Sequence, residues 1–216
     1  MTPSELSARA FRRQDETADS SFYVSPRFVT HIDDPAIGAV TQLYRELLPA
    51  GGDILDLMSS WVSHLPPEVE YGRVVGLGMN REELEGNPRL ASWTVHDLNA
   101  DPHLPFADGE FHAATICVSI QYLINPVTII RDLGRVVKSG GLLVITFSNR
   151  CFPTKAIMLW QMLGDEGHME LVDQYLKSAG NWTDIKALDR SPNPGHSDPL
   201  YAIVGRSLGL APIDEP

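Results

Sequence analysis

From residue 53 to residue 149 the chain alternates short apolar runs with helix-patterned segments. The apolar runs are DILDLM (53–58), RVVGLGM (73–79), SWTVHDL (92–98), FHAATICVSI (111–120) and LLVITFSN (142–149). Runs of this length bounded by turn residues read as strands, and FHAATICVSI is apolar enough to be covered on both faces. Helix signals lie between and before them. Asp34 stands as an N-cap with Pro35 at the first helical position. Ile37, Val40, Tyr44, Leu47 and Leu48 then form an apolar stripe at helical spacing, ended by Ala50-Gly51-Gly52. After the first strand, Pro66 and Pro67 leave room for a turn or two of helix. Asn80 and Glu83 have the spacing of a capping box. Asn125-Pro126 opens a helix that turns Ile129, Ile130, Leu133, Val136 and Val137 inward, and Gly140-Gly141 closes it.

Strands that alternate with helices predict a parallel sheet with helices on both faces. The last third of the chain reads differently. A helical region (152–179) stops at Gly180, and TDIKALDR (183–190) and PLYAIVGR (199–206) flank the turn-rich SPNPGHSD. That pair is expected to form an antiparallel hairpin. The fold class is therefore α/β, with a doubly wound, mostly parallel seven-stranded sheet and an antiparallel C-terminal hairpin. We assign residues 35–216 to this domain. Residues 1–34 are polar apart from a few aromatics, and Phe22, Tyr23, Phe28 and Val29 need cover, so they are expected to form an arm packed over the domain.

Charge and composition narrow the function. With 17 basic and 28 acidic residues among 216, the net charge is −11. Such a chain repels phosphate backbones, and no basic cluster relieves this, so nucleic acid is not an expected partner. The overall field mildly favours a cationic small molecule. Cys117 and Cys151 form neither a disulfide framework nor a zinc site, and a reducing cytoplasm is the simplest compartment. The N-terminal MTPSELSARAFRRQDE has no apolar stretch, and no run approaches the ~18–20 apolar residues that span a bilayer. No membrane association is expected. His96 and His112 have no companion at metal-ligand spacing, so no metal is expected. Oligomeric state is not encoded in these features.

The order of elements resembles the class I methyltransferase fold, which binds S-adenosyl-L-methionine. The likeness runs from about residue 36 to residue 206. It rests on ILDLMSSW, on VVGLGMN, on VHDLNADPHLPFADGEFHAATICVSIQYLINP and on RDLGRVVKSGGLLVITFSN. The stretch 97–149 is its specific part. Two departures stand out. The family's first loop runs acid-x-Gly-x-Gly-x-Gly; here Asp56 keeps the acid, but the glycine places hold Met58, Ser60 and Val62. The family's second strand ends in an acid; here that place holds Gly78.

In open α/β sheets the ligand sits beyond the carboxyl ends of the strands. The resemblance therefore implies cofactor contacts from Asp56, Met58, Ser59, Ser60, Gly78, Met79, Asn80, Asp97, Leu98 and Ser119. Asp97 would accept from the adenine amino group, with the Leu98 backbone beside it. A side chain at each glycine place adds an atom where bare backbone is usual, so the loop is expected to take another path. On the acceptor side the candidates are Arg27, Gln121 and Tyr122. His31 and Tyr23 are the candidate catalytic groups, His31 as general base. Trp61 either closes over the cofactor or plugs the sheet end, and His64 reads as a solvated helix residue. The function implied is methyl transfer from S-adenosyl-L-methionine to a small molecule, with S-adenosylhomocysteine as product. The alternative is a non-catalytic binding or regulatory protein that kept the fold and lost the cofactor. A nicotinamide dehydrogenase is disfavoured, because the first loop lacks Gly-x-Gly-x-x-Gly.

Overall fold

The computed structural model describes residues 8–209; residues 1–7 of the expected arm and 210–216 of the expected domain lie outside that range. Among the described residues seven strands form one sheet: β1 (Ile54–Leu57), β2 (Val74–Gly78), β3 (Ser92–Val95), β4 (Phe111–Cys117), β5 (Val137–Phe147), β6 (Trp182–Asp189) and β7 (Tyr201–Ser207). Their order is β3-β2-β1-β4-β5-β7-β6. The first five are parallel, β7 runs antiparallel to β5, and β6 pairs antiparallel with β7. This is the doubly wound sheet with a C-terminal hairpin that the sequence predicts.

Alternation along the strands builds two cores. Ile54 faces α2 (Asp34–Leu47) beside Val40, Leu43 and Tyr44. Leu55 and Leu57 face the opposite side, with Ile129, Ile130 and Leu133 of α4 (Pro126–Val136) and Val172, Tyr175 and Leu176 of α6 (Asp165–Ala179). Two short helices complete the covering, α3 (Arg81–Glu85) and α5 (Met158–Met162), and a single turn of helix, α1 (Asp19–Phe22), lies in the arm.

Several boundaries differ from the sequence reading. Asp33, not Asp34, caps α2: its Oδ1 accepts the Ala36 N–H at 3.0 Å, which moves Pro35 to the second helical position. No helix follows β1. The connection 58–73 is irregular, because a prolyl pair and internal side-chain hydrogen bonds leave no run free to coil. β3 stops at Val95, so Asp97 stands beyond the strand end rather than on it. β5 begins directly after α4, and Gly140-Gly141 sits inside it at a register shift, with Gly140 at φ +79°. There a Cβ on Gly141 would stand 2.6 Å from the His112 carbonyl. Gly180 ends α6 in the left-handed conformation, as expected.

The arm is fastened by a buried ionic cluster. Arg13 Nη1 reaches both oxygens of Asp19 at 2.7 and 2.8 Å. Lys155, fully buried, approaches Asp19 Oδ1 at 3.2 Å and donates to the Thr17 carbonyl at 2.7 Å. Asn99 Nδ2 donates to Asp19 Oδ2 at 2.8 Å. Burial alone would raise the Asp19 pKa, but hydrogen bonds from Arg13 and Asn99 outweigh it and hold the carboxyl below its ordinary value. A lowered folded pKa adds stability that is present above the unfolded value and lost as pH falls through the folded one. Asp19→Ala leaves two buried cations without their shared carboxylate. It is expected to cost about 3–5 kcal/mol in urea unfolding at neutral pH. Protease nicking within residues 8–33 is expected to accelerate. An unchanged urea midpoint would show that the cluster does not hold the arm.

Candidate active site

The carboxyl ends of β1 to β4 and the arm enclose one cavity. Its floor is set by Asp56. Strand alternation turns this carboxylate to the α2 side, where it is 3% exposed. A charge there must be hydrogen-bonded. Ser59 and Ser63 donate to Oδ2 at 2.6 and 2.7 Å, and Thr115 of β4 donates to Oδ1 at 3.2 Å. Burial raises the Asp56 pKa, with the three hydroxyls acting against it. Asp56 therefore organises the loop from within.

That organisation dictates the path of residues 58–64. Met58 adopts φ +59°, the left-handed conformation a glycine takes without strain, so at this first position the backbone keeps a glycine-like turn. Ser59 N–H then bonds the Leu77 carbonyl at 2.8 Å, which brings the loop backbone across the end of β2. A Cβ on Gly78 would lie 2.1 Å from the Ser59 carbonyl oxygen. Position 78 accordingly has no room for the acid usual at a strand end of this kind. Asn87 secures the far side of the loop, donating to the Ser60 carbonyl at 2.8 Å and Ser63 Oγ at 2.9 Å. His64 is not on a helix; it lies in the loop at φ +53°, lines the cavity, and burial lowers its pKa.

A carboxylate does stand next to the end of β2. Glu83, in the first turn of α3, lines the cavity and is 8% exposed. Asn80 Oδ1 caps its N–H at 3.1 Å, but the Glu83 side chain does not complete a reciprocal capping box. It accepts from Ser60 Oγ at 2.6 Å and from the Arg27 N–H at 2.7 Å, with no cation paired to it among the described residues. Asn80 Nδ2 donates to the Tyr23 carbonyl at 2.9 Å, and Trp61 Nε1 to the Val29 carbonyl at 3.0 Å, so loop and helix both grip the arm.

At the end of β3, Asp97 Oδ1 accepts from the Asn99 and Ala100 N–H groups at 3.0 and 3.2 Å. Asp97 Oδ2 and the Leu98 N–H have no partner among the described residues, and both residues line the cavity. After β4, Ser119 Oγ is buried without a partner among the described residues, on another lining residue.

The acceptor-side candidates divide. Tyr23, Arg27, His31 and Tyr122 line the cavity, as do Met58, Ser59, Ser60, Met79 and Asn80. Gln121 does not: it is 1% exposed and its Nε2 donates to the Val118 carbonyl at 3.0 Å. A short 3-10 turn at 120–122 rotates it into the core. Burial raises the Tyr23 pKa and pushes Tyr122 up to about 12, so both phenols stay protonated. Burial lowers the His31 pKa, aided by Arg27 and opposed by Glu83. Sequence reasoning missed Asp19, Glu83, Asn99 and Phe152 as lining residues; only Glu83 carried a local signal, its capping spacing.

A family model described as "Methyltransferase domain" matches residues 60–145. A curated demethylmenaquinone methyltransferase of Paenarthrobacter aurescens (strain TC1) is 28% identical over 166 residues, 72% of this chain. The match spans 62% of that relative's length. Among solved structures, one covering 82% of this chain and 92% of its own has TM-score 0.60 at 14% identity. It is a complex between the Haloferax volcanii Trm112 methyltransferase activator and a methyltransferase partner. An S-adenosylmethionine-dependent methyltransferase of Mesorhizobium loti covers 78% of this chain and 97% of its own, with TM-score 0.56 and 15% identity.

Adding the β-carbon that Gly78 lacks tests the loop path. Gly78→Ala must displace backbone rather than a side-chain tip. It is expected to lower stability by about 1–3 kcal/mol, at the level of overpacked cores. A melting temperature equal to wild type would mean that Ser59 is not held against β2.

Proposed function

We propose that this chain, which belongs to the class I methyltransferase superfamily, transfers a methyl group from S-adenosyl-L-methionine to a small molecule held under its N-terminal arm. The observation that carries this reading is the open pair at the end of β3. Asp97 Oδ2 is an acceptor and the adjoining Leu98 N–H a donor, both unpaired and both on cavity residues. An adenine edge presents the complementary pair, an amino donor beside a ring-nitrogen acceptor. The unpartnered Ser119 hydroxyl offers a further polar contact from β4.

The cofactor supplies a methyl group already activated on a sulfonium. The chain's own work is proximity, orientation and exclusion of water. Glu83 takes the part of the missing strand-end acid: each carboxylate oxygen holds one hydrogen bond and has capacity for another, enough for a ribose diol. Asp56 acts indirectly, by fixing the loop that carries Met58, Ser59 and Ser60. His31, without a hydrogen-bond partner among the described residues and with a pKa lowered by burial, is the group available to take a proton from an acceptor. Tyr23, kept neutral by burial, can donate. In this reading the described part of the arm, residues 8–34, acts as the lid, the partners are small molecules rather than nucleic acid or membrane, and the location is the cytoplasm. No helix is long and apolar enough to cross a membrane among the described residues.

A second reading is a binding or regulatory protein without catalysis. It is favoured by a specific observation: the loop after β1 carries side chains at its glycine places, crosses the end of β2, and starts no helix.

Calorimetric titration with S-adenosylhomocysteine separates the two. Saturable binding is expected, weakened about tenfold to a hundredfold by Asp97→Ala and about tenfold by Glu83→Gln, since a hydrogen bond to a charged group contributes roughly 1.5–3 kcal/mol. No heat and no thermal shift at millimolar ligand would dismiss the enzyme and leave the second reading.

A further inference from the structure

The part of the cavity under the arm is walled by rings. Tyr23, His31, Tyr122 and Phe152 line it, and Phe22, outside the lining, meets Phe152 edge-on with centroids 5.5 Å apart and Tyr23 at 4.9 Å. Tyr122 stacks on Phe152 at 5.9 Å, and His31 abuts the same ring at 5.0 Å. Into these walls projects one guanidinium. The Cζ of Arg27 lies 4.6 Å from the Phe22 centroid, 5.5 Å from Phe152 and 5.6 Å from Tyr23. Its Nη2 donates to the Phe22 carbonyl at 2.9 Å, and its Nη1 reaches the Ser25 carbonyl only at 3.5 Å.

The contrast with its neighbours is informative. Arg13 and Lys155 are both matched to the Asp19 carboxylate. Arg27 forms no ion pair among the described residues, although its own backbone N–H is bonded to Glu83. Ring faces attract a cation but supply no anion. A guanidinium has five donors in a rigid fork suited to a carboxylate, and here most of the fork is unspent. The Tyr23 hydroxyl, held neutral and without a partner among the described residues, stands among the same rings as a second donor.

We propose that Arg27, with the rings of Tyr23 and Phe152, forms a subsite for a planar aromatic carboxylate, and that the methyl acceptor belongs to this class. The inference rests on the methyl-transfer reading for the word acceptor, but not for the subsite itself. The rings supply flat walls for the aromatic body, and the guanidinium fixes the acid group at one end. Among the described residues Arg27 is the one Lys or Arg in the cavity lining; Asp19 is matched by Arg13 and Lys155, Glu83 is the acid bonded to its backbone, and the distant surface charges behind the net −11 are screened within about 10 Å.

The test is titration of benzoate and of benzamide into protein saturated with S-adenosylhomocysteine. Benzoate is expected to bind about tenfold or more tightly than its neutral isostere, the value of a charge-assisted over a neutral hydrogen bond. Arg27→Met keeps a long apolar stem; it is expected to remove that preference while leaving S-adenosylhomocysteine affinity within about twofold, small beside the tenfold effect. Should Arg27→Met fail to fold, the wild-type comparison and Tyr23→Phe, expected to weaken benzoate alone, still decide. Equal binding of benzoate and benzamide, or benzoate binding unaffected by Arg27→Met, overturns the subsite. S-adenosylhomocysteine binding with no benzoate binding at millimolar concentration overturns it and leaves methyl transfer standing. Arg27-dependent benzoate binding without S-adenosylhomocysteine binding supports the subsite and removes methyl transfer.

Discussion

A carboxylate sunk among apolar strands demands partners, and the Asp56 site shows how far that demand propagates. Three hydroxyls answer it, two from the loop after β1 and one from β4. The loop hydroxyls can reach only if the backbone turns sharply at Met58, which accepts a left-handed conformation to do so. The turn lays the Ser59 carbonyl against the end of β2, where only glycine fits. Ser60 is then delivered to Glu83, and Glu83 to the arm through the Arg27 N–H. Loop, strand end, helix and arm thus follow from satisfying one buried charge.

This ordering explains why two departures from the family's pattern occur together. Side chains in the first loop and a glycine at the end of β2 are two sides of one contact between Ser59 and Gly78. The carboxylate missing from the strand end stands one helical turn further on. Glu83 is buried, lines the cavity, and pairs with no cation among the described residues. A negative group is thereby kept near the crevice while the strand end is given over to the loop. Near the N-terminus of even a short helix, such a group also meets the exposed N–H groups of the first turn favourably.

The architecture was legible because it rests on local patterns. Five apolar runs, their turn residues and the final hairpin indicated strand number and direction, whereas Asp97, expected within the third strand, stands two residues past its end at Val95. Boundaries were less secure. Asp33 and Asp34 are adjacent acids, and only the bond to the Ala36 N–H shows which one caps. A turn of helix before Pro66 was permitted by composition but forbidden by the pull of Asp56 on Ser59 and Ser63. Gln121 and Tyr122 looked equivalent after β4, and a single 3-10 turn sent one inward and left the other on the lining. Asp19 and Asn99 were invisible, because their bond joins residues 80 positions apart and carries no periodic signal. Glu83 was seen as a cap and its side chain turned elsewhere, a distinction that spacing alone does not encode.

The division of labour within the cavity follows from where its groups originate. The unpaired acceptor and donor, Asp97 Oδ2 and the Leu98 N–H, stand just beyond the end of β3. The rings and guanidinium of the other half come largely from residues 22–31, a segment with little regular structure of its own. That segment is held at separate points: the Asp19 cluster at one end, Glu83 and Asn80 in the middle, and Trp61 beyond them. The Asp19 cluster is buried, the Glu83 and Asn80 bonds are partly buried, and the Trp61 bond is exposed. Lifting the arm would therefore expose charge and rings together, so it is expected to move as a unit, between fastened and released, instead of by gradual loosening. In such an arrangement the sheet can hold one ligand while the arm governs which second ligand is admitted, and specificity can change through residues 22–31 without disturbing the strand ends.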